Sequence, residues 1–379
     1  MNSIKVAKLT LDGYANYGNL LQSYALQQIL LNYADTVDSI WHSPDNFLPK
    51  IWWRWNYKFA AKFILNWRDF RTNILHGHIG GEMVRQGKLK DWADRHIHMR
   101  TDVKDLHTIA DDYDHFVVGS DQVWNPCFGD LQQNFLQFAP REKRLSYAAS
   151  IAAPEIPPEK LKLYQEGLSE MKAVSMREEE GAAIVREITG RDVPVHVDPT
   201  LLLTPDEWRA VSRPPAWYHG DDYVLTYFLG TMPDAVFEAA RVTGLPVVNL
   251  LDSSVYEHYV TGVDEFIWAI EHARLVYTDS FHGSVFSILF RRPFVVCDRK
   301  AAHGASEAGN KMSSRLDTLL ALFGVENRRA LEENDYRIEH PLVMEYPDID
   351  TILSHERIRT DVYIREAMNL DEKRDFCRR

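Results

Sequence analysis

Two short stretches hold residues able to move protons. In "TDSFHG", Thr278 to Gly283, an acid, two hydroxyls and an imidazole lie between an apolar run and an apolar helical pattern. A buried-looking strand has little reason to enter a buried-looking helix through so polar a turn unless the turn lines a cleft. An imidazole exchanges protons near neutral pH, so His282 is a candidate general acid. A helix start beside it favours negative charge, and Ser280, Phe281, Gly283 and Ser284 complete the turn. In "VVGSDQVWNP" a second strand ends at Gly119-Ser120-Asp121. Asp121 is placed to accept a proton or bind hydroxyls. Gln122, Trp124 and Asn125 offer amide forks and an aromatic face, a set suited to a sugar. An Asx turn before Pro126 is the structural alternative.

Two further loops bear on anions and hydroxyls. Arg177 directly follows a strand in "VSMREEEG", where a guanidinium fork suits a carboxylate or phosphate. A salt bridge to Glu178, Glu179 or Glu180 is the competing reading. "YANYGNLLQSYALQ" puts Asn16, Tyr17, Gly18 and Asn19 at the first helix start. Backbone N–H groups there can hold an anion or a sugar hydroxyl, or Asn and Gly simply cap the helix. Histidines are scattered, with no HExxH or other metal-ligand spacing, so no metal is expected. There is no P-loop and no GxGxxG.

These residues need a scaffold, and the pattern of the chain supplies one. Strand-like runs (IKVAKLTL, TVDSIW, HFVVGS, RLSYAAS) alternate with helical patterns, and the alternation resumes after Asp222 with YVLTYFLG, LPVVNLL, LVYTDS and RPFVVCD. This predicts an α/β protein of two Rossmann-like domains with mostly parallel sheets. We expect an N-terminal domain over 1–205, with a helical insertion about 45–100. The second domain would span 206–379, its last helices crossing back. Ligands in such sheets bind beyond the carboxyl ends of the strands, where the polar residues above fall.

The 379 residues exceed one ordinary core and suit two. A net charge of -12 disfavours a nucleic-acid partner. Three cysteines without a CxxC pair fit a reducing cytosol. No signal peptide and no stretch long enough to span a bilayer is read. One stretch runs against the overall charge. Lys50 to Arg71 carries Trp52, Trp53, Trp55 and Trp67 among Lys50, Arg54, Lys58, Lys62, Arg68 and Arg71, with Asp69 its single acid. It reads as a helical arm on the cleft rim or as a peripheral membrane contact.

Taken in order, NYGNLLQSYALQ, VVGSDQVWNP, LSYAAS, VSMREEEG, HVDPTLLL and TDSFHGSVFSILFRRPF resemble the polysaccharide pyruvyl transferase family, from about Lys5 to Phe294. The resemblance implies a fold like the GT-B glycosyltransferases, with two domains facing a cleft. It implies transfer of pyruvate from phosphoenolpyruvate, a co-substrate, onto two hydroxyls of a sugar, with no other cofactor. Its members usually decorate cell-surface polysaccharides or lipid-linked precursors, which places the reaction in the cytoplasm, at the inner face of the membrane. By motif match His282 is the catalytic histidine and Arg177 grips the donor. Ser280, Phe281, Gly283 and Ser284 would line the donor side. Asn16, Tyr17, Gly18, Asn19, Ser120, Gln122, Trp124 and Asn125 would face the acceptor, with Asp121 as base. Many members carry Arg-Leu-His where this chain has Ser280-Phe281-His282. Arg291, Arg292 or Arg315 would have to replace the missing arginine. A nucleotide-sugar glycosyltransferase and a non-catalytic glycan or lipid-carrier module are the rival readings.

Overall fold

The runs that alternate with helical patterns form two parallel sheets in the computed structural model, which describes residues 3–11, 13–14, 16–41, 78–127, 131–300, 313–330 and 341–370. The first sheet contains β1 (Lys5–Leu9), β2 (Thr36–Ile40), β3 (Met99–Arg100), β4 (His115–Asp121) and β5 (Arg144–Ala149), in the order β3-β2-β1-β4-β5. Val6 pairs with Val37 on one side and His115 on the other, both in parallel. Parallel bridges join Ala149 to Met176 and Met176 to Val195, so two further extended segments continue this sheet. They bring Arg177 and Asp198 to its carboxyl end.

The second sheet contains β6 (Val224–Tyr227), β7 (Val247–Asn249), β8 (Leu275–Thr278), β9 (Phe294–Cys297) and β10 (Arg329–Ala330), in the order β10-β9-β8-β6-β7. Both orders are doubly wound. Strand order reverses between β1 and β4 in one lobe and between β6 and β8 in the other, and such switch points open a crevice at the strand ends. β4 and β8 are the strands that run into the two polar turns singled out above.

Among the described residues three helices connect the lobes. Helix α1 (Tyr17–Leu30) buries Leu20, Leu21 and Leu26 against the first sheet, and Tyr17 stacks on Phe266 of the second lobe with ring centroids 4.4 Å apart. Full burial of one such ring is worth about 1.5–3 kcal/mol. Helix α2 (His78–His96) reaches across: Lys88 pairs with Glu265 at 2.9 Å and Glu82 accepts from the Tyr259 hydroxyl at 2.7 Å. At the other end of the chain, α9 (Ile349–Met368) packs on the first lobe. There Tyr363 donates to the Ser146 carbonyl at 2.6 Å and Arg357 to that of Leu202 at 2.8 Å. The longer helices between are α3 (Leu161–Ser169), α4 (Glu179–Thr189), α5 (Ala235–Thr243), α6 (Val263–His272), α7 (Phe281–Leu289) and α8 (Ser313–Leu322).

Two helix starts lie earlier than the periodicity suggests. Apolar spacing places the α1 start near Asn19, but Asn16 accepts from the Gly18 N–H and the helix begins at Tyr17. Likewise Ser280 accepts from the Gly283 N–H at 3.3 Å, so α7 begins at Phe281 and His282 sits in its first turn. The stretch Lys50–Arg71 lies outside the described residues. Among those residues no helix is long and apolar enough to cross a membrane.

Candidate active site

The site is built where the two switch points meet, and its centre is a carboxylate. Asp198 follows the bridged segment at Val195 and is fully buried. Its Oδ1 accepts from the Thr200 N–H at 3.1 Å and hydroxyl at 2.7 Å, which fixes the side chain. Its Oδ2 accepts from the Ser120 hydroxyl at 3.0 Å and from Arg177 Nη1 at 2.8 Å. His282 Nε2, from the other lobe, stands 3.7 Å from the same Oδ2. Arg177 Nη2 donates to Asp121 Oδ1 at 3.0 Å, so one guanidinium spans two carboxylates.

Burial alone would push both carboxyls up. For Asp198 the His282 imidazole and then Arg177 outweigh it; for Asp121 it is Arg177, then His282 and Arg315. Both are held below the usual carboxylate range and stay ionised. The reverse holds at Arg177, where burial pushes down and Asp121 and Asp198 push further up.

The imidazole is positioned from both lobes. Phe281 lies beside it at 5.4 Å between centroids. Gly18 of α1 lies against its far side: a Cβ there would fall 2.2 Å from His282 Nδ1, so the glycine is required for the close approach. Phe281 is also the ring over which Arg177 sits, with its guanidinium carbon 4.5 Å from the centroid; Arg315 of α8 stands 5.8 Å from the same ring. Arg315 is buried, and its Nη1 reaches Asp121 Oδ1 at 3.5 Å. A cavity of about 260 Å³ opens beside this centre, lined by Arg177, His196, Asp198, Phe281, Arg315 and Glu356 among others; His282 and Asp121 do not line it.

The remaining sequence candidates separate into neighbours of this centre and parts of the frame. Ser120 belongs to it, through its bond to Asp198. Gln122 faces Arg315: with its carboxamide oxygen turned inward it accepts from Nη1 at 3.2 Å and Nη2 at 3.3 Å. Asn125 accepts from the Cys127 N–H at 2.8 Å, the local turn. Trp124 is fully buried, stacked on Phe135, and its indole N–H is taken by the Asn134 carbonyl at 3.0 Å. Asn16 caps α1 and also accepts from the Tyr227 hydroxyl at 3.2 Å. Tyr17 donates to the Thr261 carbonyl at 2.7 Å inside the lobe interface. Asn19 is half-buried in the first turn of α1. On α7, Ser280 is the cap, and Ser284 donates its hydroxyl to the Ser280 carbonyl at 3.2 Å. Gly283 packs under Thr278, whose Oγ1 a Cβ would meet at 2.7 Å.

One residue is absent from the sequence-derived set, Asp198; of the three arginines weighed as replacements for the missing one, Arg315 is the one that reaches the centre. The signal for Asp198 was its place at a strand end, in "HVDPT". It also reads as an ordinary cap before Pro199, and it does cap that turn. Conversely Asp279, adjacent to the histidine in sequence, points elsewhere. It accepts from the Leu229 and Gly230 N–H groups at 2.8 and 2.7 Å and from Arg299 at 3.3 Å. Arg291, a sequence candidate for the second arginine, is exposed and pairs with Asp350 at 2.7 Å.

A family model described as polysaccharide pyruvyl transferase matches residues 16–300. No curated protein matches the chain. Solved structures similar to it include a UDP-GlcNAc 2-epimerase from Methanocaldococcus jannaschii, with 12% identity and a TM-score of 0.49 over 95% of this chain and 99% of that one. The UDP-GlcNAc 2-epimerase of Neisseria meningitidis has 9% identity and a TM-score of 0.42, over 97% and 95% of the two chains. The wall teichoic acid polymerase TagF has 11% identity and a TM-score of 0.43, over 96% and 89%.

Proposed function

The chain belongs to the polysaccharide pyruvyl transferase family, and from that premise we propose that it moves pyruvate from phosphoenolpyruvate onto two hydroxyls of one sugar, forming a cyclic ketal. The observation that carries this reading is the convergence of Arg177 from one lobe and His282 from the other on a single carboxylate oxygen, at 2.8 and 3.7 Å. A point where two such groups stabilise one negative oxygen is suited to a small anionic donor.

In the reaction, the methylene carbon of phosphoenolpyruvate takes a proton and the adjacent carbon becomes cationic. A sugar hydroxyl adds to that carbon and gives up its proton. The bond from carbon to phosphate oxygen then breaks, phosphate leaving with the electron pair. A second hydroxyl adds at the same carbon and its proton leaves with phosphate, so one donor and one diol give one ketal and one phosphate. His282 is the acid. Imidazole is the side-chain type that gives and retakes a proton near neutral pH, whereas the carboxyls around it are held ionised. Arg177 offsets donor charge. Asp121 accepts from the attacking hydroxyl, and with Asp198 it places negative charge where the cationic carbon forms.

A lipid-linked acceptor, part of a cell-surface polysaccharide precursor, completes the proposal. The motive is the basic, tryptophan-rich stretch Lys50–Arg71, a composition that binds membrane interfaces. Phosphoenolpyruvate is an intracellular metabolite, so the reaction would run at the cytoplasmic face. The test is incubation with phosphoenolpyruvate or a nucleotide sugar, together with a panel of galactosyl and mannosyl acceptors, free and lipid-linked. The reading expects phosphate release and the mass gain of one pyruvyl ketal. Nucleotide release with sugar transfer, or acceptor binding without product from any donor, would overturn it.

A further inference from the structure

Arg177 and Arg315 approach the same phenylalanine ring and the same carboxylate, but they are not equally paired. Each Nη of Arg177 has its own carboxylate oxygen within 3.0 Å. Arg315 is 5% exposed, yet its nearest carboxylate oxygen is Asp121 Oδ1 at 3.5 Å, which Arg177 already holds more closely. The Gln122 carboxamide turned toward it carries no charge. Among the described residues the Nε of both arginines is buried with no hydrogen-bond partner, so the difference lies in the Nη groups. Burial, and then the like charge of Arg177, press the guanidinium down to about 10, against the pull of Asp121 and Glu178.

A buried cation whose one close carboxylate is long and shared is costly to keep, and a bound anion would offset that cost. Arg315 lines the same cavity of about 260 Å³ as Arg177 and Phe281, so an incoming oxyanion can reach it. We infer that Arg315 is an anion-binding residue of this site, holding one oxyanion group of the small donor whose charge Arg177 also offsets. The inference rests on the donor reading proposed above and names a residue that lies outside the matched segment 16–300. A planar fork serves a phosphate and a carboxylate equally well, and the experiment separates the two ends of the donor.

Binding of phosphoenolpyruvate, inorganic phosphate and pyruvate is measured by calorimetry at one ionic strength for the wild type, Arg315→Gln and Arg315→Lys. Steady-state turnover is measured alongside. Arg315→Gln should weaken phosphoenolpyruvate at least ten-fold, with a raised donor KM and an unchanged acceptor KM. Loss confined to inorganic phosphate assigns Arg315 to the phosphate end, and loss confined to pyruvate assigns it to the carboxylate end. Unchanged affinity for all three anions overturns the inference. If circular dichroism shows that Arg315→Gln does not fold, Arg315→Lys decides. The lysine keeps the charge but loses the fork, so the donor KM should rise several-fold, and an unmoved donor KM overturns the inference. If the wild type forms no product from phosphoenolpyruvate while the glutamine variant still loses anion affinity, the reaction falls and the anion site stands. Wild-type product formation with unaltered binding in the variant sinks Arg315 alone.

Discussion

The carboxyl ends of the two sheets occupy equivalent places in their lobes but are built in opposite ways. In the first lobe the end is crowded with buried charge, Asp121, Arg177 and Asp198. Its backbone is strained around them: Asp121, Ala148 and Ala152 all have positive φ, at 65°, 44° and 48°. Such non-glycine residues cost on the order of 1–3 kcal/mol each and persist where the surrounding structure over-determines them. In the second lobe the corresponding turn is relaxed. Ser280 caps its helix, and Asp279 is occupied by two backbone N–H groups. What that turn delivers to the cleft is an imidazole and a phenyl ring. The first lobe therefore carries both carboxylates and Arg177, the second the imidazole and Arg315, and neither set is complete alone.

The comparison can be broken at several places. The largest effect is expected at the proton. His282→Ala should reduce turnover by about 10²–10⁴-fold in a protein that still folds, as read by circular dichroism; wild-type turnover would remove the imidazole from the mechanism. Next is the charge cluster. Asp198→Asn leaves Arg177 with one carboxylate in a dry environment, and breaking a buried pair in this way costs about 3–5 kcal/mol. Both folding free energy, read by denaturant titration, and turnover should fall.

The contrast sharpens with the other aspartate. Asp279→Asn weakens a backbone clamp away from the cleft, so stability should drop by about 1–3 kcal/mol while turnover of the folded protein holds. A loss of turnover as deep as that of Asp198→Asn would show that the two strand ends are not divided as described. Gly18→Ala places a methyl on the Nδ1 side of the imidazole. Such overpacking costs about 1–3 kcal/mol, and turnover should fall with the displaced ring.

The smallest expected effect is on pH. Burial, then the charge of Arg359, holds His196 down to about 4; burial, then Lys172, does the same for His115. The unfolded chain takes up these protons below about 6.5, where the folded chain does not. Stability from these groups is therefore full above that pH and is lost as pH falls toward 4. Asp121 and Asp198 have the same sign at lower pH: they stabilise above the unfolded carboxylate range and lose that contribution only as pH drops through it. Melting temperature should decline from pH 7 to pH 5, and His196→Gln should flatten the decline.

Much of the fold was legible in the sequence because parallel sheets buried on both faces leave short apolar runs, and α/β connections alternate with them. The turn containing His282 was legible for a related reason, since polar groups between two apolar elements need a cleft. Which of its side chains faces that cleft was not legible. Successive residues at a strand end point in different directions, so Asp279 and His282, three apart, serve different partners. Trp124 illustrates the same limit: an indole beside amide side chains reads as a sugar platform, yet packing against Phe135 and the Asn134 carbonyl encloses it. Asp198 was hidden because it is ordinary locally, a cap before proline, and Arg315 was one of three arginines that the sequence could not rank. Only the meeting of the lobes brings Asp198 next to His282.

The central claim is that Arg177 and His282, from different lobes, act on the same donor molecule. The most direct test is a double-mutant cycle on phosphoenolpyruvate-dependent phosphate release, with Arg177→Lys, His282→Gln and the pair. Residues acting as a unit are non-additive, so the double variant should be little worse than the worse single one. Fully multiplicative losses, or a single variant with wild-type release, would contradict the account.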